Sequence, residues 1–194
     1  LKILESRGFR EVHRERSSYL DLESHDPSVF TAALARVVGQ GIRLAQLPDL
    51  QDEFDNWRER LHPLYQQLVA DQPAPDPPRL DTLEEWELSV LGSPDFDPDL
   101  WIVAIDGDRC IGLSQAARSL GDPALADCGL TGVLAEYRRR GIATALKVEL
   151  LALAKRAGIQ RIATSNEESN PMFTINVGLG FELQPDWVMF ELKL

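Results

Sequence analysis

The sequence lacks any apolar run close to the roughly 20 residues that a membrane-spanning helix needs, and its first residues do not predict a signal peptide. Cysteine is also scarce. Cys110 and Cys128 are the only two, and their spacing fits neither a metal site nor a redox motif. We therefore expect two buried thiols in a reducing compartment, which favours a cytoplasmic protein without a metal centre.

Positive charge is in short supply as well. The 194 residues include 20 Lys and Arg against 31 Asp and Glu, a formal net charge of −11. A nucleic-acid-binding protein needs a basic face, so nucleic acid is not expected to be the main partner, and no membrane partner is expected either. The basic run at residues 138–140 stands out against this background.

The order of predicted elements is typical of an α/β (α+β) protein. From residue 41 the patterns predict a strand, helical segments, three mostly antiparallel strands, a helix, a strand, a helix and a closing strand pair. Pro63 lies inside the helical stretch from Pro48 to Ala70, which predicts a kink or two helices. The strand-helix-strand unit over 126–165 implies one parallel pair of strands within a mixed, mostly antiparallel sheet flanked by helices.

The two ends of the chain resemble each other. Residues 1–22 and the last 20 residues each contain Gly-Phe, a hairpin-like break and a closing Leu-x-Leu. This pattern predicts a short internal repeat, with two short strands in residues 1–22. The chain starts at Leu1 rather than Met, so we expect it to be part of a longer protein.

A short basic turn between a strand and a helix is the best candidate for a binding site. It runs from Thr131 to Thr144. A helix that begins at Gly141 offers free N–H groups and the positive end of its macrodipole, a combination suited to a pyrophosphate. Gly141 and Ala143 permit close approach of a ligand, and Arg138 can add charge-assisted hydrogen bonds. Neither a P-loop nor a dinucleotide fingerprint is present.

The same segment resembles a known family. Arg138-x-x-Gly141-x-Ala143 resembles the Gln/Arg-x-x-Gly-x-Gly/Ala signature of the GNAT superfamily of N-acetyltransferases. The sequence at 133–137 is similar to the family's Val-x-Pro-Glu-Tyr, with Ala135 in place of proline. Residues 170–181 resemble the family's last helix and its closing Leu-Gly-Phe. The resemblance runs from residue 41 to 194 and implies the GNAT fold, with one splayed strand pair.

The N-terminal segment resembles the tail of another such domain. This resemblance implies a tandem-GNAT architecture of the mycothiol synthase type. Residues 1–22 would then be the C-terminal strands of a truncated first domain, residues 23–40 a linker helix and residues 41–194 the acyltransferase domain. Apolar strand surface left open by an incomplete first domain makes a homo-oligomer a further expectation.

The resemblance also implies acetyl coenzyme A as the co-substrate. Its pantetheine arm would lie along a strand edge, its pyrophosphate on the amides that begin the helix, and its thioester beside asparagine side chains. The implied cofactor-binding residues are Thr131, Gly132, Val133, Arg138, Arg139, Arg140, Gly141, Ile142, Ala143, Thr144, Asn166, Asn170 and Asn176.

The implied chemistry is direct transfer to a primary amine, with a backbone N–H near Val133 stabilising the oxyanion. Asn176 stands where many family members carry a tyrosine that protonates the leaving thiolate, and an amide cannot supply that proton. The catalytic residues therefore stay open. Acidic residues near the site are candidate bases but also fit ordinary surface carboxylates: Glu136, Glu167 and Glu168. The histidines are expected outside the site: His13, His25 and His62.

Three interpretations remain open from sequence. The first is an active acetyltransferase for a small-molecule amine, for which the acidic residues at 84–99 suggest a cationic acceptor. The second is an inactive GNAT-fold domain that binds coenzyme A or serves a structural or sensing role. The third is an unrelated phosphate-binding α/β domain, which would bind nucleotides that lack pantetheine.

Overall fold

The computed structural model describes residues 2–72, 78–167 and 170–192. Within them, eight strands form one sheet. The strands are β1 (Phe9–Asp21), β2 (Ile42–Gln46), β3 (Trp101–Asp106), β4 (Arg109–Arg118), β5 (Leu125–Val133), β6 (Arg161–Glu167), β7 (Glu182–Leu183) and β8 (Trp187–Leu192). The helices are α1 (Lys2–Glu5), α2 (Thr31–Val38), α3 (Leu47–Glu53), α4 (Trp57–Ala70), α5 (Leu83–Trp86), α6 (Ile142–Arg156) and α7 (Met172–Gly178).

The sheet confirms the predicted α/β (α+β) class. Its strand order is β2-β3-β4-β5-β6-β1-β7, and β8 also pairs with β1. Strands β2 to β5 form an antiparallel series, whereas β5 and β6 are parallel and are joined by the crossover helix α6. None of the helices in the described part of the chain is long and apolar enough to cross a membrane.

Helices cover both faces of the sheet. Gly112 of β4 and Gly132 of β5 lie close together, but their missing Cβ atoms would point in opposite directions. A Cβ on Gly112 would lie 3.1 Å from Leu146 of α6, and one on Gly132 would lie 2.7 Å from Leu68 of α4. Because side chains alternate along a strand, α6 and α4 therefore pack on opposite faces.

The N-terminal strand departs from the sequence prediction. Two short strands were expected in residues 1–22, but β1 is a single 13-residue strand. Its first half pairs with β8 and its second half with β6, and a register shift between Glu11 and His13 absorbs the irregularity. The polar stretch that resembled a hairpin break is held by these distant partners. The domain boundaries stay a prediction, but residues 9–21 belong to the same sheet as the strands that follow.

The helical stretch before the site is divided as expected, but at a different place. Helix α3 ends where Phe54 adopts an extended conformation, and α4 begins at Trp57. Pro63 lies inside α4, so the proline is not the point of division. The apolar side of α4, which includes Leu61, Leu64 and Leu68, is buried against the sheet. This packing holds the helix in place beside β5.

Candidate active site

The parallel strands β5 and β6 pair over only a short distance. Their register runs from Leu125↔Arg161 to Asp127↔Ala163 in the described chain. Beyond these residues a cavity of about 760 Å³ lies between the two strands. Of the predicted cofactor-binding residues, the following line this cavity: Thr131, Gly132, Val133, Arg138, Arg139, Gly141, Ile142, Ala143, Thr144, Asn166 and Asn170.

The edge of β5 presents backbone hydrogen-bonding groups to the cavity. The N–H of Leu134 donates to the carbonyl oxygen of Ile111 in the preceding strand. Because successive residues of a strand direct their backbone groups to opposite sides, the N–H and C=O groups of Thr131 and Val133 point away from β4 and toward the cavity, where the Val133 carbonyl oxygen already accepts from Arg138. This edge can pair with an extended ligand that carries amide groups, as an added strand would.

The turn before α6 has an unusual backbone. Arg139 has φ 62° and Gly141 has φ 84°, both in the left-handed region. A non-glycine residue in that region is uncommon and costs free energy. The two left-handed residues turn the chain sharply between β5 and α6.

Helix α6 begins beside that turn. The first hydrogen bond of the helix runs from the Ala145 N–H to the Gly141 carbonyl oxygen at 3.0 Å. The N–H groups of residues 142–144 precede the helical hydrogen-bond series, as in the first turn of any helix. They lie on the cavity wall with the positive end of a 15-residue helix behind them. This arrangement favours an anion such as a pyrophosphate.

The three arginines of the turn occupy different environments. Arg138 donates to the Val133 carbonyl oxygen at 3.0 Å and forms an ion pair with Asp71, which follows α4. Arg139 lines the cavity. Arg140 does not: its guanidinium lies 4.9 Å from the centre of the Tyr137 ring. Arg140 therefore lies outside the cavity that Arg138 and Arg139 line. The left-handed backbone at Arg139 turns the chain, so the side chains of residues 139 and 140 point to different places.

The three asparagines are also separated. Asn166 and Asn170 line the cavity, whereas Asn176 is 0% exposed and does not line it. The Nδ2 of Asn176 donates to the Oδ1 of Asn166 at 2.6 Å. Helix α7 packs Asn176 behind the wall, so its contact with a ligand would be indirect, through Asn166. Sequence spacing alone does not distinguish a wall residue from one behind it.

The acidic candidates divide in a similar way. Glu136 is outside the cavity, where its own backbone N–H and the Arg109 guanidinium hold the pKa of its carboxyl below its usual range. A carboxylate made less basic in this way does not suit the role of a base. Glu167 lines the cavity. Glu168 lies outside the described residues.

Sequence reasoning missed two cavity residues on β1. His13 and Glu15 line the same cavity as the β5 edge and the α6 N-terminus, although His13 was expected outside the site. The other two histidines lie elsewhere: a ring nitrogen of His62 is 3.0 Å from the Asp81 carbonyl oxygen, and His25 stacks on Phe30. Only the pairing of β1 with β6 brings residue 13 to the cavity, and no local pattern carries that information.

Lys147 was also missed. It lines the cavity from the second turn of α6, yet it is only 1% exposed. Its Nζ lies 3.1 Å from the Cys128 sulfur and 5.4 Å from the centre of the Phe181 ring. A lysine on an otherwise apolar helix face could have been noticed from the sequence, but its burial could not.

Comparisons with known proteins agree with this geometry. The family model described as "Acetyltransferase (GNAT) family" matches residues 54–178. No curated protein sequence matches the chain. Among solved structures, a GCN5-related N-acetyltransferase from Sphaerobacter thermophilus superposes with a TM-score of 0.70 at 19% identity, covering 97% of this chain and 54% of that one.

Two further structures are similar over the same extent. A tandem GNAT protein from the clavulanic acid biosynthesis pathway has a TM-score of 0.63 at 20% identity, covering 97% of this chain and 56% of that one. A GCN5-related N-acetyltransferase from Kribbella flavida has a TM-score of 0.60 at 12% identity, covering 97% and 62%. The chain thus spans only part of these relatives' length. Because the family model matches more than half of the 194 residues, the chain belongs to the GNAT family of acetyltransferases.

Proposed function

We propose that the chain is an N-acetyltransferase that moves an acetyl group from acetyl coenzyme A to a primary amine of a small molecule by direct transfer. The observation that carries the proposal is one continuous cavity. It joins the open backbone edge of β5 to the N-terminus of α6. An extended arm with amide groups that is joined to a pyrophosphate fits these two surfaces in that order, because the strand edge offers backbone pairing and the helix N-terminus favours negative charge.

In this proposal the chain's own residues position the reactants. The Thr131 and Val133 backbone holds the arm, and the amides of 142–144 hold the pyrophosphate together with Arg139. A backbone N–H that points into the cavity, such as that of Val133, can donate to the oxygen that becomes negative during attack on the thioester. The enzyme thus contributes mainly the orientation of the two reactants and the stabilisation of the developing negative charge. Both effects lower the barrier to acyl transfer.

The amine acceptor is proposed to be cationic in solution. Glu15 and Glu167 contribute carboxylates to the cavity wall, and these favour a positively charged group nearby, whereas Asp71 on the same wall pairs with Arg138. The acidic cluster that sequence reasoning singled out does not line this cavity. Several of its members pair with arginines instead, as in Glu85 with Arg79 and Asp97 with Arg118.

A second candidate is a domain that binds coenzyme A without catalysis. The buried position of Asn176 favours it, because this amide cannot act as the acid that a tyrosine on the last helix would supply. Both candidate functions include binding of coenzyme A, but only the first includes acetyl transfer. One series of binding and turnover measurements therefore distinguishes them.

The test starts with calorimetric titration of acetyl coenzyme A, coenzyme A and ADP into the purified protein. The neighbouring variants Arg139→Gln and Arg140→Gln form a matched pair, since each removes one charge but only Arg139 lines the cavity. We expect coenzyme A to bind more tightly than ADP, and Arg139→Gln to weaken it about tenfold while Arg140→Gln leaves it unchanged. Equal binding of ADP would instead show that the site holds the phosphates alone and makes no use of the pantetheine arm.

Release of free thiol from acetyl coenzyme A then reports turnover. Spermidine, L-lysine, glucosamine and benzylamine serve as acceptors, with each amine omitted in turn as the control. Acetylated product from at least one amine supports the enzyme. Binding without any acetylated product supports the second candidate.

A further inference from the structure

We propose that His13 is the general base of the acetyl transfer, oriented by Glu15. This inference rests on the proposed acetyltransferase function and names a residue that deprotonates the acceptor. Both side chains come from β1, the strand that enters the sheet between β6 and the C-terminal strands. They line the same cavity as the β5 edge and the N-terminus of α6.

The sheet register shows which face these side chains occupy. Thr131 contacts Ser114 on the α6 face, and Cys128 contacts Lys147 on that face too. Through the pairing of Ala126 with Ile162, the same face continues on β6 at Asn166. Side chains alternate along a strand, so Glu167 belongs to the opposite face, on which α4 packs.

Strand β1 continues this pattern. Arg16 pairs with Asn166 and shares its face, where its guanidinium lies over the Phe173 ring of α7. Glu15 pairs with Glu167 and shares the α4 face, and His13 lies two residues away on the same side. The pair is therefore separated from α6 and α7 by the sheet. In the proposed function α6 binds the pyrophosphate, which leaves the α4 face to the acceptor amine.

The pair has the chemistry of an oriented base. The Nε2 of His13 lies 3.2 Å from the Oε1 of Glu15. An ionised carboxylate only accepts hydrogen bonds, so Nε2 carries the proton and donates it, which leaves the Nδ1 lone pair as the basic site. The carboxylate also stabilises the imidazolium once Nδ1 has taken up a proton. His13 is 17% exposed and Glu15 is 43% exposed, so both reach the cavity and its solvent.

The reaction balances with this base alone. The acceptor ammonium gives one proton to Nδ1 of His13, and the electron pair of the broken N–H bond stays on nitrogen as a lone pair. That pair forms a C–N bond to the thioester carbonyl carbon, and the C–S bond breaks with its electrons going to sulfur. The sulfur takes the second proton from the nitrogen, and the imidazolium later releases its proton to water. An ammonium and a thioester thus give an amide, a thiol and one proton.

Other charged groups near the pair are accounted for in the test. Glu167 faces it from β6, and Asp186 precedes β8 and pairs with Arg14. Arg14 also binds Glu11 on the same strand. These charged groups lie near His13 and can also affect how activity depends on pH. The experiment must therefore show that a change in the pH profile comes from the imidazole and not from its neighbours.

The experiment measures kcat/KM for spermidine, L-lysine, glucosamine and benzylamine against pH, in the wild type and in His13→Gln, Glu15→Gln and His25→Gln. His25 lies outside the cavity and is the matched control. We expect His13→Gln to lower kcat/KM about 100-fold or more and to remove the rise of activity with pH that a histidine base produces. Glu15→Gln should give a smaller loss and move that rise, and His25→Gln should change neither.

Two further measurements keep the result specific. Calorimetric affinity for acetyl coenzyme A should stay within about twofold in all three variants, because a base for the amine does not hold the pyrophosphate. In His13→Ala, added imidazole should restore part of the lost rate, which a merely structural role would not allow. Circular dichroism checks that His13→Gln is folded. If it is not, the restoration of His13→Ala by imidazole and the pH profile of Glu15→Gln test the proposal.

The outcomes separate the two proposals. A wild type that transfers acetyl groups, with the same pH profile in His13→Gln, overturns this inference and leaves the proposed function intact. A loss of acetyl coenzyme A affinity in His13→Gln that accounts for its loss of activity also overturns it. A wild type that acetylates none of the four amines overturns both proposals.

Discussion

Replacing Gly141 by alanine tests the anion site most directly. Gly141 has φ 84°, and a Cβ built on it meets no atom of the described residues within 4 Å, so the added methyl group would project toward the cavity. An alanine in the left-handed region costs about 1 kcal/mol of stability. If a pyrophosphate lies on the α6 amides, the methyl group also separates it from them.

Gly158 provides a matched control. It follows the other end of the same helix and has φ 80°, and a Cβ built on it likewise meets nothing within 4 Å in the part of the chain that the structure describes. Gly158→Ala should therefore lose the same stability, about 1 kcal/mol, without changing the cavity. The comparison subtracts the backbone strain and leaves only the effect of the methyl group on the ligand.

Two assays check the pair. Urea denaturation should give similar losses for both variants. Calorimetry should show acetyl coenzyme A binding weakened at least tenfold, about 1.4 kcal/mol, in Gly141→Ala alone, since each charge-assisted hydrogen bond lost is worth more than that. Equal affinity in the two variants would refute the reasoning, because the α6 N-terminus could then not be in contact with the ligand.

Three other positions give further predictions. Lys147→Met should raise the free energy of unfolding by about 1 kcal/mol, because it removes a buried polar amino group whose described contacts are a thiol and a ring; a clear loss in thermal denaturation would contradict this. Burial raises the pKa of Cys110 from 9.0 to about 11, so above pH 9 the unfolded chain releases this proton first. Stability should therefore fall by about 1.4 kcal/mol per pH unit between pH 9 and 11, and Cys110→Ala should flatten that fall in denaturant titrations. Asn176→Tyr should cost about 1–3 kcal/mol by overpacking and should not raise turnover, and a stable, faster variant would show that the site accepts an acid there.

The crossover and its basic turn were predictable because their signals are local. The strand, the turn at 138–140 and the glycine that begins α6 are adjacent in the sequence, and the helix N-terminus follows from them. The same holds for the wall residues of β5, since the strand edge continues directly into the turn. Whether the strand pair opens into a cavity depends on β6, and only the family resemblance suggested it.

The remaining wall could not be predicted for a physical reason. His13 and Glu15 reach the cavity because β1 pairs with β6, and that pairing depends on residues far apart in the chain. Hydrophobic alternation along β1 is weak, so the sequence shows no clear strand through His13. Asn176 is the opposite case: its position on α7 was clear, but only packing shows that Asn166 stands between it and the cavity.

The placement of β1 also has a consequence for the order in which the site forms during folding. Ser17 and Ser165, which touch across β1 and β6, are 148 residues apart in the sequence. Closing so long a loop is entropically costly and slow, and β1 is synthesised long before either strand that flanks it. Both edges of β1 therefore lack their partner strands until β6, β7 and β8 have been synthesised. The cavity should be completed in a late folding step, after the β2–β5 meander, whose contacts span far fewer residues.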